Sequence, residues 1–307
     1  MKRGPGSGAP NWPTGIVMTQ ERETRVTPAQ IVSRAKDLAS LPDVYFRVKK
    51  VLDDPTSSHD DIAAAIAIDP GMSARLLRMA NSAFYGRPRS IPTVSRAVGL
   101  LGTQQVHDLV LAATVIHSFD DFSSDLVNPR EFWMSSLFAG SAAKILAEQS
   151  SILDCERLFV AGLLAPVGLL ILYQEMPAQM RQIMQRANES DHDIARRQRE
   201  LFGFDYAQVS AELFSKWQLP PELVDPIRHH TDPSAAGDGM LEAGILHIAL
   251  HVAMAEARSQ SLDQLIPSLN DDAWRVLDLS VEGLEQVRDD ARALTDEIVP
   301  ALLSAAA

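Results

Sequence analysis

Cysteine is nearly absent: Cys155 is the only one in 307 residues, which excludes an internal disulfide. Its neighbours Asp154 and Glu156 supply no positive charge to activate a thiolate, so it reads as a bystander in a reducing compartment. Positive charge is also short. Against 40 Asp and Glu there are 28 Lys and Arg, a net charge of -12, which disfavours a general electrostatic grip on nucleic acid. Apolar runs such as Gly162 to Tyr173 fall short of the roughly 20 residues that cross a bilayer, and Met1 to Gln20 lacks the apolar segment of a secretory signal. These absences predict a cytoplasmic chain without a membrane anchor. Also missing are a phosphate-cradling P-loop, a dinucleotide glycine fingerprint and a nucleophile elbow, so no cofactor is expected.

What is present is a succession of amphipathic helical segments with no strand alternation, in a chain that is 46% hydrophobic. Residues 1–26, rich in Gly and Pro and holding Trp12, read as a flexible arm. Order is expected from Thr27, where Thr27-Pro28-Ala29-Gln30 has the form of a capping box. Ser58 with Asp61 opens another helix, and Asp69-Pro70 opens a third with Met72, Leu76 and Met79 on its buried face. Leu76 and Leu77 are expected in the core. Gly102 should end the segment through Val98 and Leu101, with Thr103 capping the next. Acidic Asp120-Asp121 with Ser123-Ser124 marks a hinge. The predicted layout is all-α: an N-terminal helical bundle over 27–125, a second helical subdomain over 126–235 and a C-terminal helical extension over 236–307. In that extension Leu284, Val287, Leu294 and Ile298 form an apolar stripe.

Several of these words, in this order, resemble the HDOD family, a regulatory relative of the HD-domain phosphohydrolases. They are Leu41-Pro42, the run from Ile68 to Gly86, and Ser95-Arg96-Ala97-Val98-Gly99-Leu100-Leu101-Gly102. The resemblance covers about Asp37 to Thr231. It implies that the second subdomain is HD-like, and that active relatives hold metal with histidines and aspartates from several helices to activate water. Where such a relative reads Trp-x-His-Ser, this chain has Trp133-Met134-Ser135-Ser136. Where it carries the His-Asp pair, this chain has Ala165-Pro166, which brings no donor side chain and no proline N–H. Tyr206 stands for a further histidine and Leu250 for a late aspartate.

What survives is His229-His230, read as a vestige or a helix-end feature and not as a metal site. His247 and His251, four apart, share a helical face without an intervening glutamate base. The pairs Asp53-Asp54 and Asp60-Asp61 sit at helix ends, where acids cap and stay solvated. Arg75, Arg78, Arg87, Arg89 and Arg96 are the one basic concentration and the candidate partner-binding residues. The resemblance therefore implies a non-catalytic signalling or regulatory module with no metal, acting by contact with a partner protein. The alternatives are a divergent metal-dependent phosphohydrolase using His229 and His230, and a nucleotide or nucleic-acid reader using the arginines. A cleft between the two subdomains, near Asp120 to Pro129, is the expected contact surface.

Overall fold

A computed structural model describes residues 26–35, 41–82, 85, 91–186 and 192–303. The arm, with Trp12, and both Arg87 and Arg89 lie outside the described residues. Among the described residues every regular element is helical. The first half holds α1 (Pro28–Arg34), α2 (Asp43–Leu52), α3 (His59–Ala67), α4 (Pro70–Ala80), α5 (Val94–Leu101) and α6 (Thr103–Ser118). The second holds α7 (Pro129–Gln149), α8 (Cys155–Leu164), α9 (Val167–Glu175), α10 (Pro177–Arg186), α11 (His192–Phe202), α12 (Tyr206–Lys216) and α13 (Pro221–His229). Two 3-10 turns lead into α14 (Met240–Ala257), followed by α15 (Leu262–Leu265), α16 (Asp271–Val276) and α17 (Val281–Leu302).

The helix starts follow from short polar side chains that satisfy free N–H groups. Thr27 and Ser58 form capping boxes with Gln30 and Asp61, and Asp69 accepts from the Met72 N–H at 3.0 Å. At the junction of α5 and α6 the outcome differs from the sequence reading. Gly102, at φ 87°, serves both ends, while Thr103 is already inside α6 and makes no cap. The run from Leu158 to Tyr173 is two helices, because Pro166 has no N–H to carry the ladder past Ala165.

Helix α7 forms the centre of the second half and packs on α8, α14 and α17. α6 joins the halves by lying on α8, and α17 packs on both α7 and α4. α1, grouped by sequence with the first bundle, rests on α12 and α9 instead. A single apolar cluster runs from Ile31 to Leu302. Two stretches, Cys155–Glu175 and Gly237–Ala257, are apolar enough over 21 residues to match a bilayer span in composition. The apolar run around Gly162 is therefore longer than the sequence reading took it to be. Their windows are 83% and 67% buried inside the protein, as in core helices.

Candidate functional site

At the end of α13 the two adjacent histidines part. His229 is half-buried, whereas His230 turns inward and is 2% exposed. His230 Nδ1 lies 2.6 Å from the Ile227 carbonyl, which can only accept, so that nitrogen carries the proton. Nε2 is then the acceptor for the Tyr206 hydroxyl at 2.9 Å. Burial pushes the imidazole pKa down to about 4, partly offset by the Ile227 carbonyl and the charge of Asp205. The ring is neutral at physiological pH, with both nitrogens engaged.

The surroundings lock this pair. Tyr206 opens α12, and its N–H donates to Gln198 Oε1 at 2.8 Å. Asp205, 2% exposed, caps α12 through the Ala207 and Gln208 N–H groups and also binds Arg199 and the Thr231 hydroxyl. On the other side, Ser210 donates to the Ala165 carbonyl and accepts from the Gly168 N–H, both at 2.7 Å. The step from α8 to α9 at Ala165-Pro166 is thereby pinned to α12.

Tyr206, His230, Leu250 and His251 line one cavity of about 20 Å³, the room of about one water. Ala165 and Pro166, both buried, and Ser135, half-buried on α7, are not among its lining residues. The rings of His247 and His251 lie tilted against each other, centroids 4.2 Å apart, and both have structural partners. His247 Nε2 accepts from the Asn270 N–H, so its Nδ1 donates to the His230 carbonyl; His251 Nδ1 contacts the His247 carbonyl. Among the described residues no three His, Cys, Asp or Glu side chains converge. The donor set does not fit a metal ion, which needs several deprotonated ligands with supporting partners.

Among the described residues the basic group is divided between surface and interior. Arg78 and Arg96 are exposed on α4 and α5, while Arg75 is 9% exposed and lines a different cavity, of about 220 Å³. That cavity lies where the expected cleft was placed, between the ends of α6 and α17 and the start of α7. A buried cluster that sequence reasoning missed joins α2 to α6: the Tyr45 hydroxyl lies 3.0 Å from His107 Nε2, and His107 Nδ1 lies 3.2 Å from Asp108. Burial, then the charges of Asp53 and Asp108, raise the Tyr45 pKa, the reverse of activation as a nucleophile. Sixty-two residues separate Tyr45 from His107, so only the fold could bring them together.

The HDOD domain profile matches residues 38–233. An uncharacterized protein of Treponema pallidum is 28% identical over 222 residues, covering 70% of this chain but 42% of that protein. Among solved structures, an HDOD domain protein of unknown function from Geobacter sulfurreducens superposes with a TM-score of 0.69 at 22% identity, over 92% of this chain and 99% of the other. A protein provisionally assigned as a phosphohydrolase, from Shewanella amazonensis, gives 0.70 at 23% identity, over 89% and 97%. A provisionally assigned signal transduction protein from Marinobacter aquaeolei gives 0.61 at 21%, over 86% and 60%. The superpositions establish a shared all-α fold, and with nearly two thirds of its length matched by the profile, this chain belongs to the HDOD domain family.

Proposed function

We propose that this chain is a non-catalytic HDOD module that regulates a cytoplasmic signalling partner by contact. One observation carries the non-catalytic part: His230, the histidine that survives at the HD-like site, gives its Nε2 to the Tyr206 hydroxyl and its Nδ1 proton to the Ile227 carbonyl. A metal-binding His230 would have to break a buried hydrogen bond and still lack convergent co-ligands, and a hydrolase of this class has no other means of activating water. The name of the Shewanella protein is a statement about that protein and adds no donor atom here.

The partner surface is assigned to Arg78 and Arg96, the two exposed members of the basic group among the described residues. Arginine at an interface is worth far more to binding than as a solvated residue to folding. The test has two arms. Metal-dependent hydrolysis of bis(p-nitrophenyl) phosphate should stay at background in the wild type and in Ala165→His/Pro166→Asp, because one restored pair leaves the other ligands absent; turnover in either contradicts the reading. Arg78→Glu/Arg96→Glu should keep its melting temperature and lose the cross-linked partner that the wild type retains. Retention of that partner places the interface elsewhere.

A further inference from the structure

The cavity beside Arg75 has a chemistry that neither the HD-like site nor partner contact uses. Arg75 is on the buried face of α4 and only 9% exposed. Its guanidinium has no acceptor and no ion pair among the described residues, and its Nε is fully enclosed. An enclosed guanidinium N–H without an acceptor is unfavourable, so a largely buried arginine with no ion pair in a protein of net charge -12 needs explanation. The C-terminal ends of α6 and α17 border the cavity, yet no carbonyl there accepts from Arg75. The one carboxylate in the wall, Asp120, is bonded to His117.

Other features of the wall favour an anion with an apolar body. The N-terminus of the 21-residue α7 points its positive dipole end here, although Asn128 already takes the Arg130 and Glu131 N–H groups. Arg130, exposed at the rim, has no acidic partner among the described residues. Phe119 and Trp133, ring centroids 6.1 Å apart, supply aromatic surface. We propose that this cavity binds a small organic anion, its phosphoryl or carboxylate oxygens held by Arg75 and its apolar part against Phe119 and Trp133. The volume, about 220 Å³, suits a ligand the size of a substituted phenyl group with one anionic head. The site stands whether or not the HD-like centre is catalytic.

Phenyl phosphate and benzoate serve as probes of the two anionic heads, with benzyl alcohol as the neutral control, in ligand-observed NMR titrations at fixed ionic strength. At least one anion should bind saturably, the control should not, and Arg75→Met should weaken binding at least about tenfold, equivalent to roughly 1.4 kcal/mol. Preference for phenyl phosphate or for benzoate identifies the head group. Without ligand, Arg75→Met should melt at the same or a higher temperature, since an apolar stem of similar length removes the enclosed Nε–H that has no acceptor. A lower melting temperature would make Arg75 a structural residue and overturn the proposal. So would equal binding by Arg75→Met, binding of the neutral control, or no saturation by either anion. Should Arg75→Met not fold, Arg130→Gln at the rim must weaken binding two- to fivefold, about 0.4–1 kcal/mol, and unchanged affinity overturns the assignment.

Discussion

His230 sets a pH dependence that can be read directly. An unfolded histidine titrates near pH 6.5 and the folded one near 4, so between these values the unfolded chain binds the proton more tightly. The contribution is fully present above about pH 6.5 and is lost as pH falls toward 4, by an amount on the order of a few kcal/mol. Urea unfolding at pH 7.5 and pH 5 should show this loss in the wild type and a flatter profile in His230→Gln; parallel profiles would contradict it. Tyr206→Phe leaves Nε2 buried without a donor and should cost about 1–3 kcal/mol, read from the denaturation midpoint. The resemblance marks Tyr206 as a ligand position in active relatives, but its bond to a residue 24 positions away leaves no local trace in the sequence. Arg75 is the opposite case. It lies three residues after Met72 and four before Met79, so the helical spacing that buries those residues buries Arg75 too. Leu77 falls off that face and is half-buried, which corrects its expected place in the core.

At the scale of elements, the caps at Thr27, Ser58 and Asp69 were readable because a side chain three residues from its N–H is a local matter. The approach of α9 to α12 was not. Gly168 sits where a Cβ would be 2.1 Å from the Tyr206 carbonyl oxygen and 2.8 Å from the Ser210 nitrogen, and backbone cannot step aside as a side chain can. Gly168→Ala should therefore destabilise by about 1–3 kcal/mol or more and move the Ser210 contact. A melting temperature equal to the wild type would mean the helices can separate freely. Within α4, Leu76→Ala should cost about 2–5 kcal/mol, and Leu77→Ala clearly less, by chemical denaturation. Equal losses would put both side chains in the core.

The molecule as a whole is tied by α17, which reaches α7 and α4 across the sequence. Leu284, Val287 and Ile298 are fully buried and Leu294 is half-buried, so the apolar stripe is largely core. Periodicity revealed the stripe, but it could not say what covers it. Val287→Asp should abolish cooperative unfolding, since an unpaired buried carboxylate has no partner there; a normal transition would detach α17 from the core. The resemblance alone marks Ala165, Pro166, Tyr206 and Leu250 as positions where active relatives carry ligands, whereas the hydrogen bonds around Ser210, Tyr206 and His230 depend on α8, α9, α12 and α13 meeting. The most direct measurement is elemental analysis after equilibrium dialysis against manganese, iron and zinc, with a chelated sample as reference. A module whose His230 is committed to Tyr206 should retain far less than one metal per chain, whereas one or more tightly held ions per chain would contradict the account.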